Sequence, residues 1–356
     1  MKVAIITQYW KESEGGGIKV YATNLVEALR HKGVDVNVLF KEGFDSNEFP
    51  IHGGRITSYY YFYKRIKEIH PDVIHNHGTG NFLIPSLLYK LFYKCKLIHT
   101  FHTEPDGKLK LFDKKIFQFL LNNCDCTTFV SKGLFEKVVE VCDLSFSDVE
   151  ITHGGVTKTS VKDDEIEEFV EKYQLNTSHP VILVQAFTAN LIKIQGLKIV
   201  IQAIKLLKNN HPNIKLLVTR NGKYCDDLKA YSQDLGVEDV IFTGDVENPF
   251  VPIAVSDIFI FPWLGKSGVG LALLEGMVYG KPTIIIDNGY ESDVIIENVN
   301  GIMSKPNSVD MAEKINYLVI NDELRNRIGA NAKNIVEENF TWELCATNFI
   351  NIYVKY

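Results

Sequence analysis

The chain predicts an α/β protein built from two doubly wound, Rossmann-like domains with parallel sheets. Three observations carry this. Short apolar runs alternate with amphipathic helical segments throughout. Each half holds a unit in which a buried strand leads through a glycine-bearing loop into a helix and on to a second strand. The length of 356 residues suits two domains rather than one.

In the first half, Val3–Thr7 reads as a buried strand, and the loop from Gln8 ends in Gly15-Gly16-Gly17. A helix from about Ile18 to His31 follows, with Val20, Leu25, Ala28 and Leu29 facing inward, and Val34–Phe40 is the next strand. The loop lacks the GxGxxG spacing and no acid ends the second strand, so this is not a dinucleotide fingerprint. Tyr59–Ile69 is an aromatic, basic helical stretch. Val73–His75 is a short strand with His77 and Gly78 at its end; Phe82–Tyr93 is helical; Leu97–Phe101 is a strand that delivers His102 and Thr103 to its carboxyl end, the side on which such sheets bind ligands. His102 is favoured over His77 as a functional residue, and His75 and His99 are expected to be satisfied inside the sheet. Cys126–Val130 and Val149–Thr152 complete the strands of this half.

The acidic run Asp163–Glu171 reads as an exposed helix after the domain crossing. Then come a strand, Val181–Ala186, a loop to Gly196, a helix, Leu197–Leu207, a strand, Ile214–Thr219, and a turn, Arg220-Asn221-Gly222. Asp226–Leu235 is helical and Val240–Thr243 a strand. The most informative stretch is DIFIFPWLGKSGVGLALLEGMVYGKPTIIID, residues 257–287. In it, Ile258–Phe261 is a strand, Pro262–Gly270 a loop, Leu271–Tyr279 a helix ended by Gly280 and Pro282, and Thr283–Ile286 a second strand. The free N–H groups and positive dipole end of that helix are ready for an anion. Gly268 and Gly270 let a phosphate approach the main chain, and Glu275, one turn inside, can accept hydrogen bonds from ribose hydroxyls. The unit is therefore expected to hold a nucleotide diphosphate. Helices from Asp310 and Asp322 follow, and Phe340-Thr341-Trp342 opens a terminal helix.

Composition narrows the class. Apolar residues make up 46% and charged ones 23%, as in a globular protein with a sizeable core, and a formal charge of −6 gives no case for nucleic acid. The six cysteines form no CxxC pair, so free thiols in a reducing cytosol are expected, and no metal site. MKVAIITQYW reads as the first strand rather than a signal peptide, and no apolar run approaches the ~20 residues of a membrane span. Lysines interleaved with aromatics from Lys90 to Phe117 are either a solvated helix face or a basic patch that rests on anionic lipid.

The order of these motifs resembles the retaining, nucleotide-sugar-dependent glycosyltransferases of family 4, which have the two-domain GT-B fold. The likeness spans nearly the whole chain, through GGGIKVYATNLVEALRHKGVDVNVLF, PDVIHNHG, LIHTFHTEP, VSKG, ITHGGV, TRNGKYCDDLKAYSQDLGVEDVIFTGDV, NGYESDVIIENVNGI and FTWELCATNFINIY; GVGLALLEGMVYGKPTI is the most specific piece. It implies two Rossmann-like domains facing across a cleft: an acceptor-binding domain (1–158), a nucleotide-sugar domain (159–338) and a terminal helix returning to the first (339–356). It implies that Gly16 and Gly17 face the donor diphosphate, that His102 holds the transferred sugar or its developing charge, that Gly268, Val269 and Gly270 give N–H groups to the phosphates with Leu271 starting their helix, and that Glu275 binds the ribose. Transfer would proceed with retention, with no metal or cofactor. The donor would be UDP- or GDP-linked; the acceptor a glycan, a lipid-linked molecule or a small molecule; the location cytoplasmic, with peripheral contact at the inner membrane face a further expectation.

Three positions depart from the family pattern. An Arg and a Lys five residues apart are here Asn190 and Gln195, with Lys193 between them as a partial, catalytic replacement, and a Glu eight residues before Glu275 is here Ser267. A lost charge-assisted hydrogen bond is worth ~1.5–3 kcal/mol, or about tenfold or more in rate. Three readings follow: an active hexosyltransferase in cell-surface or glycoconjugate synthesis, its altered contacts suiting an unusual donor; a catalytically silent member serving as partner subunit to an active glycosyltransferase; and a nucleotide-sugar epimerase.

Overall fold

The computed structural model describes the chain except for residues 15, 78–79, 106–110, 266–269 and 289–292 and the side chains of residues 55, 111 and 112. It divides into two compact units, residues 1–155 with 340–356, and residues 156–265 with 270–339.

The first unit contains β1 (Lys2–Tyr9), α1 (Gly16–His31), β2 (Asp35–Glu42), β3 (Phe49–Pro50), α2 (Arg55–Ile69), β4 (Val73–Asn76), α3 (Leu83–Phe92), β5 (Lys96–Phe101), α4 (Leu111–Asn122), β6 (Cys126–Phe129), α5 (Lys132–Cys142) and β7 (Val149–Ile151). Its sheet runs β3-β2-β1-β4-β5-β6-β7, each neighbouring pair parallel. The strands are continuous apolar runs because helices cover both faces; Val3 to Ile6 are fully buried. The second unit contains α6 (Asp163–Lys172), β8 (Val181–Gln185), α7 (Leu191–Leu207), β9 (Lys215–Thr219), α8 (Cys225–Asp234), β10 (Val240–Gly244), α9 (Val251–Val255), β11 (Ile258–Phe261), α10 (Leu271–Val278), β12 (Thr283–Ile286), β13 (Ile302–Ser304), α11 (Ser308–Val319) and α12 (Asp322–Asn339). Its parallel sheet runs β10-β9-β8-β11-β12-β13. The last helix, α13 (Trp342–Lys355), is capped by the Thr341 hydroxyl, which accepts from the Leu344 N–H, and packs on α1 of the first unit.

Three sequence expectations need correction. Val20 points outward, 37% exposed, and Tyr21 is buried beside it: the inward stripe of α1 is Tyr21, Ala22, Leu25, Val26, Ala28 and Leu29, a helical face in which position 20 has no place. β2 continues past Phe40 to Glu42, so an acid does end that strand; it accepts a hydrogen bond from the Gln8 amide, and the glycine spacing still speaks against a dinucleotide. The expected loop before Leu197 is already helix, since Asn190 caps α7 by accepting from the Lys193 N–H. Gly196 therefore lies within that helix, where an added Cβ would sit 1.7 Å from the Pro262 carbonyl oxygen. Its absence of a side chain lets the start of α7 lie against the end of β11.

A buried histidine chain joins β4, β5 and α13. His75 Nδ1 is 2.5 Å from the Tyr353 hydroxyl, and its Nε2 is 2.7 Å from Thr100 Oγ1, itself 2.6 Å from Thr128 Oγ1. His77 Nε2 is 3.3 Å from His75 Nδ1, and His77 Nδ1 is 2.9 Å from His102 Nε2. The Asn76 amide donates to His99 Nδ1. His75 and His99 are thus satisfied in the sheet. Burial pushes His99 and His102 down to about 3, and holds His75 and His77 well below the usual value, with neighbouring imidazoles adding to it. Each ring is neutral near neutrality and has one N–H, so the tautomers of His75, His77 and His102 are set together.

Two predictions follow from this packing. The unfolded chain takes up histidine protons near pH ~6.5 while the folded one does not, so stability rises with pH between the two pKa values and is lost on acidification. Denaturant unfolding between about pH 7 and about pH 5.5, above the carboxylate range, should lose of the order of 1 kcal/mol per pH unit per buried histidine. His99→Gln should flatten that slope; an unchanged slope removes this account. Separately, Gly196→Ala should cost about 1–3 kcal/mol by overpacking, seen as a lower melting temperature of the second unit.

Candidate active site

Each sheet reverses its strand order once. In the second unit the reversal lies between β8 and β11, whose outgoing loops lead into α7 and α10. In the first it lies between β1 and β4, whose loops lead into α1 and toward His77. At such a point neighbouring crossovers leave in opposite directions and open a crevice at the carboxyl ends of the strands.

The crevice of the second unit collects chemistry. Gln185 ends β8 and Thr219 ends β9, directly paired in the sheet. The Gln185 amide donates to Glu275 Oε2 at 2.5 Å, while Gln185 Oε1, Thr219 Oγ1 and Trp263 Nε1 are buried with no hydrogen-bond partner among the described residues. Folded chains rarely leave such atoms unpaired. Arg220, next after Thr219, brings its guanidinium to 3.5 Å from Glu275 Oε2. Burial raises the Glu275 pKa, and Arg220 and Gln185 oppose the rise. Lys193, on the first turn of α7, donates to the Ala186 carbonyl at 2.8 Å and stands 5.5 Å from the Phe187 ring centroid. Burial lowers its pKa, and the Arg220 charge lowers it further. Ala186 and Arg220 both have positive φ, +65° and +68°, conformations that non-glycine residues adopt at a cost of order 1–3 kcal/mol. Arg220 is held there by its N–H to the Gly244 carbonyl and by its carbonyl accepting from the Thr188 hydroxyl.

The sequence-named residues fall into three groups. Glu275 and Lys193 meet in this crevice, and Leu271 begins α10 behind the N-cap Gly270. Glycine at 270 also has a packing reason: its φ is an ordinary −70°, and an added Cβ would lie 2.3 Å from the Phe261 ring. Asn190 spends its side-chain oxygen capping α7, and Gln195 is exposed one turn on, so neither stands in for a cation. Ser267, Gly268 and Val269 lie outside the described residues. Arg220, Gln185, Thr219 and Trp263 were missed. The available signal was a cation directly after a buried strand, at a turn position that glycine would fill more easily.

In the first unit, Gly16 opens α1 with φ +54°, and an added Cβ at Gly16 or Gly17 meets nothing within 4 Å, so both border open space. His102 packs edge-on against Tyr21 at 4.7 Å and takes its hydrogen bond from the His77 side, leaving Nδ1 without a partner among the described residues. Being neutral, it offers a hydrogen bond rather than a positive charge. His77 is not its rival but its neighbour.

Residues 15–159 match the family model Glycosyltransferase Family 4, and residues 165–335 match Glycosyl transferases group 1. Similar proteins include an uncharacterized glycosyltransferase of Methanocaldococcus jannaschii, 26% identical over 98% of this chain and 92% of its own. The D-inositol 3-phosphate glycosyltransferase of Corynebacterium aurimucosum is 22% identical over 99% and 96%. Among solved structures, Anabaena HepE in complex with UDP aligns with a TM-score of 0.84 at 16% identity over the whole of both chains. WaaG, a glycosyltransferase involved in lipopolysaccharide biosynthesis, aligns at 0.72 with 14% identity over 99% of each. These likenesses carry the fold, GT-B. With the two models lying end to end over both units, the chain belongs to the glycosyltransferases that join a family 4 domain to a group 1 domain.

Proposed function

We propose that this protein transfers a hexosyl group from a nucleotide-diphosphate sugar, UDP- or GDP-linked, to an acceptor hydroxyl, with retention and without a metal, in the synthesis of a glycan or glycoconjugate. The observation that carries the reading is the crevice of the second unit. It gathers two cations, a carboxylate, two helix starts and three buried polar atoms without a partner among the described residues at one strand-order reversal. Such a set matches the parts of a nucleoside diphosphate. Lys193, Arg220 and the N–H groups opening α10 would meet the phosphates. Glu275, held between Arg220 and Gln185, would accept from the ribose hydroxyls. The chemical demand is to stabilise the negative charge that grows on the leaving diphosphate, and fixed cations and backbone dipoles in a partly dry site do this without reorganising. Arg220 then restores, from the neighbouring strand, a charge that Asn190 and Gln195 do not supply. In the first unit, neutral His102 would hydrogen-bond a substrate hydroxyl through Nδ1.

A second reading rests on the same positions: with Asn190 committed to a cap and Gln195 exposed, the protein would be a silent partner subunit. Incubation with a panel of nucleotide sugars and candidate acceptors separates the two. Release of nucleoside diphosphate with a glycosylated product supports the enzyme; nucleotide binding with no turnover supports the silent subunit.

Melting curves with UDP, GDP, ADP and their sugars should identify a nucleotide that stabilises the parent, by about 2.7 kcal/mol at 100 times its Kd. Arg220→Ala should weaken that nucleotide about tenfold or more, and Glu275→Ala should weaken the free nucleotide and its sugar alike. Unchanged affinity in both variants would place the nucleotide elsewhere. Binding should also depend on pH in one direction. A diphosphate beside Lys193 raises its depressed pKa, so binding takes up a proton at alkaline pH, and affinity falls as pH rises through the free protein's lowered value. Titration calorimetry should show this fall in the parent and not in Lys193→Met.

A further inference from the structure

We infer that Tyr353 is a positioning residue for the first unit's site: its hydroxyl, acting through His75 and His77, presents His102 Nδ1 as a bare acceptor for a hydrogen bond from a substrate hydroxyl. The identity of the substrate group rests on the transfer reading above; the tautomer of His102 does not.

The order of donors follows from counting protons. Tyr353 is 1% exposed, and His75 Nδ1, at 2.5 Å, is the one hydrogen-bond partner of its hydroxyl among the described residues. Burial keeps the phenol protonated. Its proton goes to His75 Nδ1 or to nothing. A neutral imidazole carries one N–H. With Nδ1 accepting, His75 holds its proton on Nε2 and donates to Thr100 Oγ1 at 2.7 Å, and Thr100 donates to Thr128 Oγ1 at 2.6 Å. The reverse order would satisfy the Thr128 proton and strand the phenolic one. A phenol is the more acidic hydroxyl, hence the stronger donor and the poorer acceptor, and a buried donor without an acceptor is costly.

His77 Nε2 stands 3.3 Å from the same His75 Nδ1. Two bare nitrogens would repel, so His77 carries its proton on Nε2 and shares the acceptor with the phenol, at the longer distance. His77 Nδ1 is then bare and accepts from His102 Nε2 at 2.9 Å. One proton per ring leaves His102 Nδ1 bare as well. Packing holds both ends of the chain. Phe349 and Tyr353 of α13 set their ring centroids 4.6 and 5.6 Å from that of His75. His102 rests edge-on against Tyr21, whose own hydroxyl is spent on the Thr152 carbonyl. A bare Nδ1 discriminates: it takes a hydroxyl and turns away a group that offers only lone pairs, such as fluorine, a ketone or a carboxylate.

The test is ring-nitrogen NMR of the full chain labelled with 15N-histidine, with the His102 signals assigned by their loss in His102→Gln. The parent should show His102 protonated on Nε2 and bare on Nδ1. Tyr353→Phe keeps the ring and should move that proton to Nδ1, because Thr128 and Thr100 can then donate into His75 Nε2 and reverse every bond. Thr100→Val should leave His102 as in the parent, since the phenol still sets the direction. Circular dichroism confirms that each variant is folded; if Tyr353→Phe is not, the parent and Thr100→Val spectra decide. His102 protonated on Nδ1 in the parent overturns the inference. So does an unchanged His102 in folded Tyr353→Phe, or a reversed one in Thr100→Val. On the substrate side, kcat/KM is compared between a donor sugar and its series of deoxyfluoro analogues. For one analogue the preference for hydroxyl over fluorine should shrink about fivefold or more in Tyr353→Phe. A merely structural loss would lower both alike, and preferences unchanged throughout the series overturn the substrate assignment. Absence of all turnover counts against the transfer reading and leaves the spectra to judge the tautomer.

Discussion

A parallel sheet whose strand order reverses cannot close over its own strand ends, and the two crevices so formed govern this protein. Where the crossovers leaving β8 and β11 diverge, the chain must place side chains at strand ends with no neighbouring crossover to cover them. It places Gln185, Thr219, Arg220 and Glu275 there, and accepts positive φ at Ala186 and Arg220 to do so. Glycines at 196 and 270 serve the same end by letting a helix and a ring come close: Gly196 meets the Pro262 carbonyl and Gly270 the Phe261 ring. The crevice is therefore closely packed at Gly196 and Gly270 and polar within.

Its electrostatics come from neighbours rather than from any one residue. Burial and the Arg220 charge lower the affinity of Lys193 for its proton, while the nearby carboxylate, Glu275, lies beside Arg220. The first unit makes the opposite choice. There His75, His77 and His102 are neutral and linked onward from Tyr353, so the side chain that reaches the crevice edge arrives with its orientation set by a chain of hydrogen bonds. The terminal helix is part of that arrangement, which gives its packing against α1 a purpose beyond stability: it supplies the hydroxyl on which the chain ends.

The surface of the first unit follows from the same topology. Helices on one face of a sheet bury their inner stripes against it and leave the outer stripes to water, and polar residues ordinarily occupy those stripes. On α3 they are leucine and phenylalanine. Helix formation alone needs no such stripe, since propensity is indifferent to which face is apolar.

The sequence by itself determined the elements. Strands buried on both sides read as unbroken apolar runs, so β11 and β12 were legible to the residue, and the alternation of strands and helices named the architecture. Glu275 was legible as well, because its place one turn inside a helix behind a glycine loop is a matter of local spacing. What only the tertiary structure decided was which distant residues share a crevice. Arg220 looked like part of a turn, and Asn190 like a lost charge; folding made the first a cation beside Glu275 and the second a helix cap. The state of His102 was equally hidden, since its neutrality comes from burial against β4 and α1, elements far from it in the chain. Local pattern specifies backbone; pairing across a sheet specifies charge, because electrostatic partners are set by distance in space and not along the sequence.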